Sequence, residues 1–272
     1  MPKSFRRKSV GLCAAVLLLV VCMTPGPVRA WGRIGHRAAA RMAEDRLTPA
    51  ARAAVRDILG PGVRFADAST WADEQREIEE SYRWHFVNVP IGAEHYDSRY
   101  CSPKGCVVSK IEDFRRMLRD PGTQRIQRQR ALKFLIHLIA DLHQPLHIGD
   151  NNDQGGNLLQ VRFFGVGSNL HRVWDSQAIE RHTKNEKVWL WDFDFAANPK
   201  SVAQWSKGTP EDWATESLLL AKEAYRRPGD GNILRSGARL GNEYYSFALP
   251  AIRTQLAKAG TRIAFVLNAI FR

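Results

Sequence analysis

The chain has 272 residues, of which 44% are hydrophobic and 25% charged, and its formal net charge is +12. This length is sufficient for one domain with a well-buried core. No internal repeat, low-complexity tract or linker interrupts the sequence, which excludes repeat arrays and strings of small domains. The positive net charge is compatible with a polyanionic partner, such as nucleic acid or an anionic lipid, but does not identify one.

The first thirty residues have the three parts of an export signal. Basic residues near the N-terminus precede an apolar run over 10–21 and then Val28-Arg29-Ala30, a pattern typical of a cleavable signal peptide. We therefore expect cleavage after Ala30 and a secreted or periplasmic protein that covers 31–272 and has no membrane span. Its net charge would be +7, because five basic residues are removed with the signal peptide. An uncleaved anchor is the alternative, although the run is shorter than the ~20 residues of a span.

Two of the four cysteines remain after such cleavage. Cys101 and Cys106 bracket a short loop that contains Pro103 and Gly105. In an oxidising compartment this spacing favours a disulfide. A thiolate metal site is the alternative, but no second cysteine pair is present to complete it.

Helical patterns dominate the rest of the chain. Helices are predicted at 35–47, 49–59, 112–119, 125–143 and 212–226, followed by one long helix, or two helices kinked near Pro250, within 237–267. The one convincing strand candidate is 158–164, which follows two glycines. The predicted fold is mainly α, in a single domain with a small strand or hairpin element.

Histidine and aspartate recur at helical spacing in two places. His137 and Asp141 are four residues apart, and so are His171 and Asp175. Side chains at this spacing project from the same face of a helix. One imidazole and one carboxylate on a rigid helix form half of a site for a cation such as zinc.

Further candidate ligands surround these pairs. Pro145 ends the helix, so that His147 can turn back toward the same cavity, and Asp73 and His85 each follow a large tryptophan. Any one of these side chains alone could be a core histidine, a helix cap or a salt-bridge partner. The complete set predicts a metal site. The remaining histidines are interpreted as structural or surface residues: His95, His143 and His182.

Cleavage before Trp31 would create one more candidate ligand. A free α-amine and its own carbonyl can chelate a metal in a five-membered ring, and the amine pKa of ~8 allows a metal to displace the proton. His36 would add an imidazole about one helical turn later. The spacing alone does not distinguish this role from that of an ordinary hydrophobic N-terminal residue.

Together these motifs resemble the secreted zinc-dependent single-strand-specific nucleases of fungi, plants and bacteria, also known as 3′-nucleotidase/nucleases, over essentially all of 31–272. The motifs are Trp31-Gly32-x2-Gly35-His36, Trp71-Ala72-Asp73, Trp84-His85-Phe86, His137-x3-Asp141-x-His143-Gln144-Pro145-Leu146-His147, Gly155-Gly156-Asn157 and Asn169-Leu170-His171-x2-Trp174-Asp175. The resemblance implies a phospholipase C/nuclease-like helical fold with three zinc ions at the bottom of a cleft.

By position, the resemblance also implies which residues bind each zinc ion. The ligands of the first would be Asp73, His85, His137 and Asp141. The ligands of the second would be the Trp31 amine and carbonyl, His36 and Asp141, which would bridge the two ions. The ligands of the third would be His147, His171 and Asp175.

The same resemblance implies hydrolysis of phosphodiesters. Two close zinc ions would lower the pKa of a bridging water and direct hydroxide at phosphorus, while the third would bind the departing 3′-oxygen. Arg76 matches a phosphate-binding arginine and would neutralise charge that develops on the phosphoryl oxygens; by itself it could equally be a solvated helix residue. The expected substrates are single-stranded DNA and RNA, cleaved to 5′-phosphorylated products, and 3′-nucleotides.

Two residues beside the ligands would contact the base. Phe86 matches a base-stacking aromatic residue, and stacking on it is available only to an unpaired base; alone, Phe86 could be a core residue. Asn88 replaces an aspartate that bonds the base in some fungal members, and an amide can both donate and accept. Base preference is therefore expected to be altered or broadened. A second disulfide of fungal relatives is also missing.

Three other functions remain open at this point. A zinc phospholipase C could use the same three ions on a choline phosphodiester, although Phe86 and the positive charge favour nucleic acid. A zinc-storage protein would need no Arg76. An inert helical protein would contain no zinc. We expect the protein to act as a monomer.

Overall fold

The structure, a computed structural model, describes residues 31–75 and 81–272, without the side chains of 193–195. The expected signal peptide and Arg76 lie outside the described residues. The helices are α1 (Arg33–Asp45), α2 (Pro49–Leu59), α3 (Phe65–Ala68), α4 (Trp71–Glu74), α5 (Val107–Arg119), α6 (Arg125–Leu142), α7 (Leu170–Arg172), α8 (Ala178–His182), α9 (Glu186–Ala196), α10 (Pro199–Trp205), α11 (Pro210–Ala224) and α12 (Asn242–Ile270). Short 3₁₀ turns form at Tyr82–His85, Ser98–Tyr100 and Pro145–His147, and a π-helical turn forms at Val173–Gln177.

The strands are short and form two small sheets. Strand β1 (Val89–Pro90) pairs in parallel with β2 (Gly149–Asp150). Strand β3 (Gln160–Phe163) lies between an antiparallel neighbour, β4 (Val166–Asn169), and a parallel neighbour, β5 (Ala238–Leu240). The predicted fold class, mainly α with a small hairpin, is therefore confirmed.

Helix α6 runs through the core. Within 131–142 every residue except Lys133 is buried, because the helix packs against α2, α4, α5 and α12. Such a helix is apolar around most of its circumference. His137 and Asp141 lie in this stretch and are both completely buried. Two ionisable side chains in the core require a specific partner, because burying an isolated charge is costly.

Helices α1 and α12 approach each other closely at a glycine. A Cβ atom on Gly260 would lie 2.9 Å from the carbonyl oxygen of Ala39 and 2.8 Å from the Met42 sulfur. Because glycine has no Cβ atom, the two helices can pack at backbone distance. This contact fixes α1, which carries His36.

Several predicted boundaries differ from the structure. Helix α5 begins before the predicted residue 112, because Cys106 and Ser109 form a capping box at its start. Helix α12 continues through Pro250 as one helix. The long helix predicted within 237–267 begins at Asn242, and Ala238–Leu240 before it extend the sheet as β5. Its partner β3 lies about eighty residues earlier in the chain, so no local pattern indicates the pairing.

Two further predictions bear on stability and membrane association. Cys101 and Cys106 form a disulfide. None of the helices in 31–75 and 81–272 is both long enough and apolar enough to cross a bilayer.

Candidate metal centre

One group of side chains converges near the C-terminal end of α6. The group consists of His36 from α1, Asp73 from α4, His85 from the 3₁₀ turn at Tyr82–His85, and His137 and Asp141 from α6. His85 Nδ1 lies 3.0 Å from His137 Nε2 and 2.9 Å from Asp141 Oδ2. Asp73 Oδ1 lies 3.5 Å from His137 Nε2, and His36 Nε2 lies 3.3 Å from Asp141 Oδ1. Helical turns distant in the chain thus bring three imidazoles and two carboxylates together.

A second group of side chains lies beside the first. His171 Nε2 is 3.1 Å from Asp175 Oδ2, and His147 Nε2 is 4.0 Å from Asp175 Oδ1. The pair at 171 and 175 lies on the helical segment that follows β4, and the 3₁₀ turn at Pro145–His147 brings His147 opposite it. All three side chains are buried. The spacing of four residues thus has the predicted effect in both groups.

Backbone carbonyls orient three of the histidines. The Nδ1 atoms of His137, His147 and His171 each lie 2.7 Å from a carbonyl oxygen, those of Ser69, His85 and Gly155 respectively. A carbonyl only accepts, so each Nδ1 must donate its hydrogen. The lone pair is then on Nε2, the atom that faces the other ligand candidates. Metal-binding histidines are commonly held by this kind of contact.

The glycine at 155 makes one of these carbonyl contacts possible. Gly155 has φ +61°, and a Cβ atom there would lie 2.2 Å from the Leu146 carbonyl oxygen. A side chain would therefore displace the backbone segment whose carbonyl accepts from His171.

The electrostatics of the first group centre on Asp141. Burial acts to raise the pKa of Asp141, but the histidines, His137 first, lower it well below its usual range. For His137 burial acts to lower the pKa, and the carboxylates of Asp141 and Asp73 outweigh burial and raise it. Burial lowers the pKa of His36, and His137 adds to this effect. Asp141 is therefore favoured as a carboxylate, and positive charge is favoured beside it.

Burial favours the uncharged form of His147 in the second group. Burial lowers the pKa of His147 to about 4. A neutral imidazole is the form that binds a metal.

The donor set fits a metal ion. His36 Nε2, Asp141 Oδ1 and His147 Nε2 are buried and make no hydrogen bond to any described residue. Buried polar atoms are otherwise nearly always paired. Imidazole nitrogen with carboxylate oxygen is a ligand combination that zinc accepts. The ligand atoms lie within 4.8 Å of one another in each of three sets of three, two of which share His137 in the first group.

Trp31 lies next to the first group. Its side chain is completely buried, and the indole Nε1 donates to the carbonyl oxygen of Ala140 at 2.8 Å. The amide of Gly32 donates to the carbonyl oxygen of Asp175 at 2.6 Å. The backbone at residue 31 is thus held between the helix that carries Asp141 and the segment that carries Asp175.

A cleft of about 230 Å³ reaches one histidine of the first group and two of the second. His85, His147 and His171 line its floor, and Phe86, Asn88, Leu146, Gln154 and Asn157 line its walls together with Tyr82 and Arg83. Phe86 is half-buried and contacts Tyr82 edge-to-face, with ring centroids 5.4 Å apart. Asn88 is exposed. The cleft therefore combines buried metal-type ligands with an aromatic wall.

Several residues of the site have no role predicted from the sequence. Gln144 donates from Nε2 to Asp175 Oδ1 at 2.5 Å and accepts from the Leu146 amide at 2.7 Å. Its position inside the motif from His137 to His147 was the available signal. Tyr82 and Arg83 line the cleft, but no spacing in the sequence indicates it.

The histidines interpreted as structural lie apart from both groups. His143 is buried, with Nδ1 donating to the Ile139 carbonyl and Nε2 2.9 Å from an Arg262 nitrogen. His182 contacts Asp192 at 2.6 Å, and His95 is exposed.

Comparisons with known proteins agree on one family. A family model described as S1/P1 Nuclease matches residues 31–272. Endonuclease 5 of Arabidopsis thaliana is 32% identical over 281 residues, which cover 89% of this chain and 90% of the relative. Nuclease P1 of Penicillium citrinum is 28% identical over 267 residues, covering 88% and 97%. Nuclease S1 of Aspergillus oryzae is 27% identical over 266 residues, covering 88% and 91%.

Proposed function

The chain belongs to the S1/P1 nuclease family, and from that membership we propose that it is an exported zinc-dependent endonuclease that cleaves single-stranded DNA and RNA. As a nuclease of this family it is a hydrolase that acts on phosphodiester bonds. We further propose three zinc ions per chain, 5′-phosphorylated products, activity on 3′-nucleotides and a monomeric state.

The convergence of two buried histidine and aspartate groups, which reach one cleft through His85, His147 and His171, carries this proposal. The assignment gives Asp73, His85, His137 and Asp141 to one zinc ion; the Trp31 amine and carbonyl, His36 and Asp141 to the second; and His147, His171 and Asp175 to the third. The buried Nε2 and carboxylate atoms without a hydrogen bond support it. When bound, zinc would supply Lewis acidity and lower the pKa of water.

The side chains around the floor have separable roles in this proposal. Asp141 would neutralise positive charge on both of its sides, because its two oxygens face different partners: His36 on one side, His85 and His137 on the other. Arg76, which lies outside the described residues, would neutralise charge on the phosphoryl oxygens.

The aromatic wall would determine the preference for single strands. Phe86 lines the cleft and packs edge-to-face with Tyr82, and a base stacked on it would contribute ~1–3 kcal/mol. A base inside a duplex has no free face, so it cannot use this contact. The amide of Asn88 at the same wall can donate or accept, which favours a broad base preference.

Export would also complete the site. Removal of residues 1–30 would convert the peptide nitrogen of Trp31 into an amine. The indole contact with Ala140 and the Gly32 contact with Asp175 support a position of that amine close to Asp141. Processing and metal binding would then be linked.

The test is a set of assays on the processed protein. We expect three zinc ions per chain by elemental analysis, and rapid cleavage of a single-stranded oligonucleotide but slow cleavage of the same sequence as a duplex. Phosphate release is expected from a 3′-nucleotide and not from its 5′ isomer. A protein that hydrolysed phosphatidylcholine but not the oligonucleotide would be a phospholipase C, and zinc without any hydrolysis would indicate storage.

A further inference from the structure

Two segments near the cleft contain arginine but no acidic residue. Residues 154–174 include Arg162 and Arg172, and residues 231–242 include Arg235 and Arg239, and neither segment contains Asp or Glu. The two segments lie side by side, because β3 of the first pairs with β5 of the second. All four arginines are exposed. We call these four residues the arginine strip.

The sheet brings two of these arginines directly together. Arg162 and Arg239 are Cα partners in the parallel pair of β3 and β5. Both face solvent, since their neighbours Val161, Phe163 and Leu240 are buried. On the other side of Arg162 the partner in β4 is Gly167, which leaves that side of the face open. Like charges on neighbouring strands are destabilising.

Nothing in the described part of the chain neutralises this charge. None of the four arginines forms a salt bridge with a described residue, whereas arginines on α1, α5 and α12 do so repeatedly. Among the described residues, the Arg162 side chain makes its polar contact with the Gly165 carbonyl, at 3.4 Å. Carboxylates neutralise several of the arginines on those helices. The strip is instead a surface with unmatched positive charge.

The strip is continuous with the cleft. Gln160 lies on the same solvent-facing side of β3 as Arg162, and its Nε2 donates to the carbonyl of Asn157, which lines the cleft. Arg172 directly follows His171, which lies on the cleft floor. A strand rises ~3.3 Å per residue, so Arg162 is only ~7 Å beyond Gln160. A chain leaving the cleft along the sheet would meet the arginines in succession.

We propose that the arginine strip binds the phosphate backbone of single-stranded nucleic acid where it extends beyond the cleft. The inference rests on the proposed function of the cleft and adds a second contact surface to it. Each arginine would contact phosphate oxygens through its planar fork of donors. Such contacts carry no sequence information and weaken with salt. The strip would thus favour long substrates over mononucleotides and dinucleotides.

The test compares a double variant with a matched control. Arg162→Gln with Arg239→Gln removes two charges from the strip. Arg56→Gln with Arg119→Gln removes two exposed charges near the start of α6, where the Arg125 side chain donates to the carbonyl of Asp57. That end of the helix is ~18 Å from His137. Both variants retain every residue assigned to the metal centre and the aromatic wall.

We expect the strip variant to raise KM for a 30-nucleotide single strand several-fold at unchanged kcat, and to leave dinucleotide hydrolysis unchanged. The slope of log(kcat/KM) against log salt should become shallower by ~1.4, or ~0.7 for each lost phosphate contact. The control variant should match the wild type in all three measurements. A strip variant with wild-type KM and salt slope on the 30-mer would overturn the proposal.

A binding assay separates this inference from the proposed function. Anisotropy of a fluorescent phosphorothioate 30-mer reports binding without cleavage. Weaker binding of this probe by the strip variant than by the wild type, by several-fold, would support the strip. If neither protein then cleaved the natural 30-mer, the nuclease proposal would fail while the strip proposal stood. If the variant loses binding to phosphatidylglycerol vesicles and not to the 30-mer, the strip is a lipid surface and our proposal is wrong.

Discussion

Each clustered histidine can direct Nε2 toward the other candidate ligands in only one ring orientation. Carbonyl oxygens of Ser69, His85 and Gly155 accept from the Nδ1 atoms of His137, His147 and His171, so a rotation of any ring would cost a buried hydrogen bond. The chain thus selects the tautomer and the ring angle before any ligand arrives. Contacts of this kind around a metal ligand normally affect affinity strongly.

Gln144 provides a test at the scale of one residue. Gln144→Ala removes the donor that bonds Asp175 Oδ1 at 2.5 Å. We expect zinc content to fall from three ions to two per chain and kcat/KM on single-stranded DNA to fall ~10–100-fold. Elemental analysis and steady-state kinetics measure both. Gln204→Ala, at an exposed position of α10, is the control. Unchanged zinc content in Gln144→Ala would show that Asp175 needs no such support.

The amine of Trp31 provides a second test. One methionine placed before Trp31 would turn the proposed ligand into an amide, which donates no lone pair to a metal. We expect loss of about one zinc ion per chain and a severe loss of activity, while circular dichroism remains that of the processed protein because the indole stays bonded to Ala140. Full activity in the extended protein would remove Trp31 from the ligand set.

At the scale of elements, a buried polar group joins three helices behind the site. Arg262 of α12 contacts His143 Nε2 at the end of α6 and both carboxylate oxygens of Glu216 on α11. Gln255 of α12 donates to the carbonyl of His143 at 3.0 Å. These contacts hold the end of α6 just beyond Asp141. The structural interpretation of His143 agrees with its surroundings.

The stability of this junction should depend on pH. Burial, reinforced by Arg262, lowers the pKa of His143 well below 6.5. As pH falls below 6.5 the unfolded chain takes up a proton that the folded chain excludes, so stability is lost toward acid by up to ~1.4 kcal/mol per pH unit. His143→Gln should remove this contribution between pH 7 and pH 5. Glu216 stays ionised there, because Arg262 and Lys258 overcome burial and lower its pKa to about 2.

Urea unfolding at several pH values, with chelator present so that metal release does not contribute, measures this slope. His95→Gln is the matched control, since His95 is exposed. The control should retain the wild-type slope. Equal slopes in His143→Gln and the wild type would contradict the assignment of His143 as an uncharged group in the folded state.

The elements differ in how well the sequence predicts them. Helix α6 has a long apolar pattern, so the sequence predicts this helix without knowledge of the elements that pack against it. Strand β5, Ala238–Leu240, consists of residues that favour helices and owes its conformation to pairing with β3. The His-x3-Asp pairs were identifiable because the helix itself creates their geometry. Tyr82 and Arg83 reach the cleft through a single 3₁₀ turn. A turn this short produces no periodic pattern of apolar residues in the sequence.

At the scale of the whole molecule, the site and the fold are interdependent. The ligand candidates extend from residue 31 to residue 175 and come from several helices and turns. Two carboxylates and three imidazoles share one small volume in the first group. A bound cation would therefore connect helices that otherwise contact each other mainly through apolar side chains. Metal affinity should appear directly in the stability of the complete protein.

Chelation is the test at this scale. A ligand present at about a thousand times its dissociation constant stabilises a fold by ~4 kcal/mol, and for a protein of this size each kcal/mol moves Tm by ~2–4 °C. We expect a chelator to lower Tm by roughly 8–16 °C and to abolish nuclease activity, and we expect added zinc to restore both. Scanning calorimetry with and without chelator gives the shift, and a single-strand cleavage assay on the same samples gives the activity. Loss of activity at constant Tm would mean that the ions bind at the surface, and a constant Tm with full activity would mean that the buried groups hold no metal at all.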